Sequence, residues 1–153
     1  EYTTVELGDA PIGGGVVDTK GAYPSHALFM VQVPDVAASL QFFERAFGLK
    51  RRFLHESGTY GELATGETTL SFAAHELGDA NFPGGHVHAH SSAKPLGMEI
   101  ALVTTHVPQA HRQAVACGAR ELSAPARKPW GQIVSYVRAP DGCLIELCTP
   151  VGS

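Results

Sequence analysis

Residues 128–150 read KPWGQIVSYVRAPDGCLIELCTP, and this stretch decides the fold. Two apolar runs, residues 133–137 and 143–147, flank the triplet Pro140-Asp141-Gly142. Pro, Asp and Gly are the residues that tight turns favour, while β-branched and aromatic residues are enriched in strands. The stretch therefore predicts a β-hairpin near the end of the sequence.

The order of elements that leads to this hairpin occurs twice. Residues 29–50 and residues 99–121 each begin with an apolar run, continue through a helical stretch and reach a glycine near its end. The first helix is expected to start at Pro34 or Asp35 and to stop at Gly48. Its apolar residues recur at helical spacing: Val36, Leu40, Phe43 and Phe47.

Strands follow each helical stretch, and residues 60–72 form a second predicted hairpin. Each copy is thus a β-α-β-β-β unit, which exposes one face of its sheet until it pairs with another unit. We predict one α+β domain with module one at residues 26–75, a Gly/Ser/Pro-rich linker loop at 76–97 and module two at 98–150. Residues 1–25 are either an extra hairpin or a leader.

Composition narrows the classes of partner. The net charge is -4 and the 11 basic residues are scattered, which argues against a nucleic acid or an anionic membrane surface. No stretch approaches the roughly 20 apolar residues that span a bilayer. The three cysteines are an odd number without CxxC spacing, which favours a reducing cytoplasm. Cys143 and Cys148 are expected to be small buried hydrophobes rather than catalytic thiols.

Four segments carry a family resemblance: VPDVAASLQFFERAFGLK (33–50), TLSFA (69–73), MEIAL (98–102) and the closing stretch quoted above. Together they resemble the vicinal-oxygen-chelate superfamily of glyoxalases, bleomycin resistance proteins and dioxygenases. The most specific part is the Trp-Gly pair, the Pro-Asp-Gly turn and a strand ending in Glu-Leu. The resemblance implies two curled half-barrel sheets paired around a small-molecule cleft, and a homodimer.

The resemblance also implies where a site would lie. Metal-dependent members of the superfamily place up to four ligands on the first and last strands of the two modules. The matching positions here are Leu28, Ser71, Glu99 and Glu146, with His26 two residues before Leu28 on the same face. Two of these four positions are carboxylates, and the other two ligate a metal poorly, since transition metals prefer imidazole, carboxylate or thiolate ligands.

Because only two of the four ligand positions carry a carboxylate, two functions are considered. The favoured one is a metal-free protein of the bleomycin-resistance type, which has no cofactor and sequesters a small ligand. The expected ligand-binding residues are Leu28, Ser71, Glu99, Trp130 and Glu146, and the two carboxylates among them suit a cationic ligand. The alternative is a glyoxalase-like lyase or a dioxygenase. In that case Glu99, Glu146 and His26 would hold Zn, Ni, Mn or Fe, and Glu146 is the candidate catalytic carboxylate.

Facing carboxylates without a metal need compensation, because they repel and raise each other's pKa. A cationic ligand could supply it, or Arg138 or Lys128 could reach inward. Alternatively, one carboxylate is hydrogen-bonded to a neighbouring strand and only Glu146 faces the cleft. Trp130 is expected either to stack on a ligand or to fill the gap between the sheets. Core positions are expected for three strand aromatics: Phe53, Phe72 and Tyr136.

Histidines form one further motif. Alternate residues of the sequence HVHAH share a face of an extended segment and could bind a metal: His86, His88 and His90. Ordering a flexible loop costs entropy, so adventitious binding is the commoner outcome for such a motif. His55 and His75 are expected at the surface or the rim of the cleft, and His106 and His111 in solvent.

Overall fold

Two four-stranded sheets, each carrying one long helix, make up residues 27–152, which are the residues that the computed structural model describes. Module one contains β1 (Leu28–Val33), α1 (Val36–Phe47), β2 (Lys50–Leu54), β3 (Tyr60–Ala64) and β4 (Thr69–Ala74). Between the modules lie α2 (His75–Asn81) and a single 3₁₀ turn (Ala89–Ser91). Module two contains β5 (Glu99–Val103), α3 (Val107–Ala116), β6 (Arg120–Arg127), β7 (Ile133–Arg138) and β8 (Leu144–Cys148).

The two sheets have the same topology. Their strand orders are β1-β4-β3-β2 and β5-β8-β7-β6. In each sheet the first and last strands of the module run parallel, and the other neighbours are antiparallel. The predicted α+β fold of two β-α-β-β-β modules is confirmed.

Local sequence explains where α1 begins and ends. The Asp35 side chain accepts a hydrogen bond from the backbone N–H of Ala38 at 2.9 Å, which satisfies one of the free donors of the first turn. Gly48 ends the helix in the left-handed region, at a φ of 69° that glycine adopts without steric cost. The predicted start at Asp35 and stop at Gly48 are both confirmed.

Both helices contribute to one hydrophobic core. Leu40 and Phe43 of α1 are fully buried, as are Val107 of α3 and Ile145 of β8, and all four belong to one cluster. His111 of α3 is also buried, and its Nε2 lies 2.6 Å from a carboxylate oxygen of Glu121. The expectation that His111 is solvated is wrong, because it follows Val107 by one helical turn and therefore faces inward.

Polar contacts also join the modules. The hydroxyl of Ser39 on α1 donates a hydrogen bond of 2.8 Å to Asp141, which sits in the turn between β7 and β8. The Asp141 carboxylate also accepts the backbone N–H of Cys143 at 3.0 Å. Both contacts are buried, so this turn helps to hold the second module on the helix of the first.

The connector between the modules is more ordered than predicted. The expectation of a loop over residues 76–97 is wrong, because α2 starts directly after β4 and the 3₁₀ turn follows at Ala89–Ser91. Tertiary contacts impose this order: α2 packs on β1 and β4, and the 3₁₀ turn packs on β1. The expected hairpin or leader at residues 1–25, and also His26, lie outside the described residues. No helix among residues 27–152 is long and apolar enough to cross a membrane.

Candidate functional site

Each sheet has one face covered by its helix and one face turned away from it, which we call the open face. Direct strand partners project to the same face of a sheet. In module one, Met30 and Glu62 both pair with Ser71, so these three residues lie on the open face with Leu28 two residues earlier. The fully buried Leu63 and Phe72 project to the other face, towards α1.

The two predicted carboxylates share the open face of module two. Ala101 pairs with Glu146, and Glu99 lies two residues before Ala101 and therefore on the same face. Glu99 is largely exposed, but partial desolvation raises its pKa, and the charge of Glu146 and a hydrogen bond between the two side chains raise it further. The two side chains are therefore close enough to repel each other when ionised.

Tyr136 belongs to this carboxylate pair. It is the β7 partner of Glu146, and its hydroxyl donates a hydrogen bond of 2.5 Å to Glu146 Oε2. The hydrogen bond to Glu146 raises the pKa of Tyr136, with burial as the second cause, so the hydroxyl stays protonated at neutral pH. The expectation that Tyr136 fills the core is wrong. Counting residues outward from the turn at 140–142 places Tyr136 opposite Glu146. The sequence alone could therefore have predicted that Tyr136 shares a face with Glu146.

The open face of module one is electrostatically different. Glu62 accepts a hydrogen bond of 2.7 Å from the Tyr60 hydroxyl, and its other oxygen lies 3.2 Å from an Arg52 nitrogen. Phe53 packs beside Tyr60 with 5.8 Å between ring centroids and is 40% exposed, so the expectation of a core position is wrong for Phe53 too. Phe72, by contrast, is fully buried as expected.

Two other predicted site residues do little at this face. Ser71 is fully buried, and its hydroxyl donates to the carbonyl oxygen of Phe29 at 3.2 Å. Trp130 lies in the β6–β7 connection, is 66% exposed and donates from Nε1 to Gln132 at 2.8 Å. The expectation that Trp130 fills a gap between the sheets is wrong, and stacking on a ligand stays a prediction.

Cys143 and Cys148 are buried, as expected. Cys148 lies two residues after Glu146 on the same open face. Burial raises the pKa of Cys148 to about 11, and Glu146 contributes to the rise. Burial also raises the pKa of Cys143. Both thiols are therefore protonated at neutral pH and are poor nucleophiles.

The described residues of the open faces do not fit a transition-metal centre. Among residues 27–152, no imidazole lies with Glu99 and Glu146 in a group of three ligands close enough to hold an ion. The positions matching the other two ligands are Leu28 and Ser71, and Glu146 already accepts a hydrogen bond from Tyr136. Zn, Ni and Fe sites need three or four protein donors, so two carboxylates are too few.

A cavity of about 320 Å³ lies between the edge strands β1 and β5, next to the start of β8, and neither Glu99 nor Glu146 lines it. It is lined mainly by apolar side chains, with the connector on one side; lining residues include Met30, Val31, His86, Met98 and Leu144. Leu144 is the direct strand partner of Glu99. Leu144 is therefore the residue that connects this cavity to the open face that carries Glu99.

Arg138 does not compensate the carboxylates, contrary to one of our expectations. Its guanidinium is buried and donates to the carbonyl oxygens of Ala89, at 2.5 Å, and of Ser92, at 2.9 Å. It also donates to the Ser92 hydroxyl at 3.0 Å. Arg138 therefore holds the connector on module two, and the negative charge of the open face has no arginine beside it from β7.

The connector brings four histidines together. His75, the first residue of α2, meets the three histidines of the HVHAH motif: His86, His88 and His90. The expectation of a surface or rim position for His75 is wrong, since it is only 6% exposed. Burial lowers the pKa of His75, and the neighbouring imidazoles lower it further. The ring of His75 is therefore neutral at neutral pH.

Comparisons with known proteins agree with this architecture. The sequence profile of the Glyoxalase/Bleomycin resistance protein/Dioxygenase superfamily matches residues 25–147. A search of curated proteins found no match.

Solved structures show the same fold. A glyoxalase-related enzyme from Fulvimarina pelagi superposes with a TM-score of 0.70 at 21% identity, over 84% of this chain and 89% of its own. A superfamily enzyme from Burkholderia phytofirmans gives a TM-score of 0.63 at 18% identity, over 82% and 96%. A superfamily member from Sphaerobacter thermophilus gives 0.63 at 18% identity, over 84% and 99%. At identities this low the similarity concerns the fold alone.

Proposed function

The chain belongs to the Glyoxalase/Bleomycin resistance protein/Dioxygenase superfamily, and from that premise we propose that it is a metal-free binding protein of the bleomycin-resistance type. Its ligand is a small organic cation with a flat apolar body. The observation that carries the proposal is the pair Glu99 and Glu146 on one open face, without a described basic partner, together with an apolar cavity that reaches Leu144, the strand partner of Glu99.

Charge supports a cationic ligand. The charge of Glu146 contributes to the raised pKa of Glu99, because a neighbouring ionised carboxylate makes the ionisation of Glu99 harder. A bound cation removes that penalty and gains attraction from both groups. Tyr136 fixes the Glu146 carboxylate in place, so little side-chain entropy is lost when a ligand binds.

Shape supports an apolar ligand body. The cavity is of the size that holds a small organic molecule, and its lining is mostly aliphatic. Leu144 and Met30 lie at the edge of the open faces and also line the cavity. A ligand can therefore bury its rings there and place its charge at Glu99.

Ethidium titration tests this proposal. Ethidium is a flat organic cation whose fluorescence reports burial, and we expect saturable 1:1 binding that weakens as salt is raised. The double variant Glu99→Gln/Glu146→Gln should weaken binding at least about tenfold, equivalent to about 1.4 kcal/mol. The control is Glu56→Gln/Glu67→Gln, which removes two exposed carboxylates in module one. Equal affinity in the two double variants, or no ethidium binding at all, would overturn the proposal.

Metal-free bleomycin tests the narrower assignment to the resistance type. Calorimetry should show binding that the Glu99→Gln/Glu146→Gln variant weakens. Spermidine, which carries charge without rings, should bind at least about tenfold more weakly because it leaves the apolar cavity unfilled. If ethidium binds and bleomycin does not, the ligand class stands and the resistance type is wrong.

We also propose that the protein is a homodimer whose open faces meet. Large apolar side chains are exposed on these faces: Leu28, Met30, Phe53 and Val103. Bare apolar patches of this kind are typical of interaction surfaces. Sedimentation should give a dimer that Met30→Glu dissociates, whereas Val115→Glu on α3 should not. A monomer at high concentration contradicts this proposal.

The three cysteines support a reducing compartment. All of them, Cys117, Cys143 and Cys148, are free thiols in the part of the chain that is described. We therefore place the protein in the cytoplasm, and a thiol titration of freshly purified protein should find three thiols.

A further inference from the structure

Four imidazoles from two chain segments meet beside the N-terminus of α2. His75 is the first residue of α2, directly after β4, and the other three come from the connector some ten residues later. One ring nitrogen from each of His75, His88 and His90 lies within 4.8 Å of the other two. Three imidazoles at this spacing are a common ligand set for first-row transition metals.

The connector is held in place before any ion binds. Arg138 donates three hydrogen bonds to Ala89 and Ser92, on either side of His90. Ala89 also packs against the backbone of Gly142, so closely that a Cβ there would lie 2.2 Å from the Ala89 carbonyl carbon. Flexible loop histidines bind metals weakly because binding must order the loop and so costs conformational entropy. These contacts order the connector before an ion binds, so that cost is smaller here.

Asp79 sets the tautomers of the cluster. His86 Nδ1 is buried, makes no hydrogen bond among the described residues and lies 3.4 Å from an Asp79 carboxylate oxygen. A carboxylate favours a proton on that nitrogen, which leaves a lone pair on His86 Nε2. In that tautomer His75 Nδ1, which lies 2.7 Å from His86 Nε2, is the donor of the hydrogen bond between the two rings. His75 Nε2 then carries a lone pair.

That lone pair faces a second ring nitrogen. His75 Nε2 lies 3.3 Å from His90 Nδ1. Two nitrogens bound to one tetrahedral Zn²⁺ at about 2.0–2.1 Å are about 3.3–3.4 Å apart. His88 stacks on His75, with ring centroids 3.8 Å apart and ring planes 8° apart, so its ring must turn about the side-chain bonds before its nitrogen and His75 Nε2 point at the same ion. Both His86 nitrogens already face partners, His75 and Asp79, so His86 is an orienting residue rather than a ligand.

We propose that His75, His88 and His90 bind one first-row transition-metal ion, with Zn²⁺ as the expected occupant, and that Asp79 and His86 orient His75 towards it. The arrangement is a carboxylate–histidine–histidine–metal series, in which each partner fixes the tautomer of the next. This site is separate from Glu99 and Glu146, which belong to the open face of module two. It adds a metal-binding activity to the proposed ligand-binding protein.

Cobalt titration of protein purified without a histidine tag tests the site. After treatment with a chelator, Co²⁺ should bind 1:1 with the intense visible absorption of a tetrahedral ion, and one equivalent of Zn²⁺ should displace it. His90→Ala should lower the affinity at least about 100-fold, more than the loss of a residue that only orients a ligand. His90 is exposed, so this variant should fold like the wild type. His106→Ala, which removes an exposed histidine outside the cluster, should bind like the wild type.

Further variants separate the roles. Asp79→Asn should keep the tetrahedral spectrum and lose about 10- to 100-fold in affinity, as expected for a positioning residue. Glu146→Gln should leave cobalt binding unchanged, which distinguishes this site from the carboxylate pair. The proposal is overturned if His90→Ala binds like the wild type, if Glu146→Gln abolishes binding, or if the bound cobalt has the weak spectrum of an octahedral aqua ion.

Discussion

The hairpins β3–β4 and β7–β8 are built on the same plan but carry opposite chemistry. At the equivalent central pair, the first hairpin has Glu62 opposite Ser71, and the second has Tyr136 opposite Glu146. Arg52 forms an ion pair with Glu62, whereas Glu146 accepts a hydrogen bond from the Tyr136 hydroxyl and lies beside the like-charged Glu99. Duplication of a fold thus preserves register and topology, while the charge of each open face is set independently.

The turns of the two hairpins differ in the same way. Gly66 and Gly142 both have positive φ, at 85° and 93°. A Cβ on Gly66 would meet no atom within 4 Å, but a Cβ on Gly142 would overlap the backbone of Ala89 and His90. The first turn is therefore free, and the second is packed under the connector.

The largest expected effect comes from adding a methyl group to each turn. Gly142→Ala should cost about 3 kcal/mol or more, because it combines backbone strain with overpacking. Gly66→Ala should cost about 1–2 kcal/mol from the left-handed conformation alone. Urea unfolding of both variants measures the difference. Equal costs would mean that the connector does not press on the second turn.

A smaller effect is expected from the carboxylates of the turns. Asp141→Ala removes the acceptor of Ser39 and of the Cys143 N–H in a buried place, at a cost of about 2 kcal/mol. Glu67→Ala in the exposed first turn should change the free energy of unfolding by less than about 0.5 kcal/mol. Thermal unfolding checks both variants, and an Asp141→Ala protein as stable as the wild type would contradict the bridging role.

Substitutions on the two open faces should have different effects on ligand binding. Glu146→Gln alone should weaken ethidium binding several-fold, because half of the uncompensated charge is lost. Glu62→Gln should change it by less than about twofold, since Arg52 already balances that charge. Fluorescence titrations at one salt concentration give the ratio. A larger loss in Glu62→Gln would place the cation on module one instead.

The smallest expected effect concerns pH. The folded chain raises the pKa of Glu99 above its ordinary value of 4.5, so the folded state keeps a proton that the unfolded chain has lost. This contribution to stability is present below the ordinary pKa and is lost as the pH rises through the raised one. Glu99→Gln removes the penalty, and because the side chain is exposed the gain at pH 7 should be about 0.5 kcal/mol or less. Urea unfolding at pH 4 and pH 7 should show the gain only at pH 7, and Glu67→Gln should show none.

Much of the fold was predictable from local signals. The α1 boundaries follow from Asp35 and Gly48, which act within one turn of the helix. The two hairpins follow from turn residues flanked by β-type runs. The shared face of Glu99 and Glu146 follows from strand alternation and the family resemblance. Each of these signals spans only a few residues, so it can be recognised in the sequence without knowledge of tertiary contacts.

The missed features depend on contacts between distant residues. Arg138 binds Ala89 and Ser92 across more than forty residues of sequence, and nothing near Arg138 predicts this. The same contacts order the connector, which has the composition of a loop. His75 lies just after an apolar strand, and this position in the sequence predicts a residue at the rim of the cleft. It is buried because the connector packs against it. Tyr136 was the exception, because the register of its hairpin would have identified it.

The triplet Pro140-Asp141-Gly142 is a junction of three chain segments as well as a turn. Asp141 contacts α1, Pro140 lies against Gly118 after α3, and Gly142 leaves room for the connector. Its residues are therefore constrained by neighbours from both modules. In an ordinary hairpin turn, the two flanking strands are the main constraint on the choice of residues. If this turn were grafted into another sheet, it should keep its conformation. Other turn-forming residues should then be tolerated at its three positions, because the contacts with α1, Gly118 and the connector would be absent.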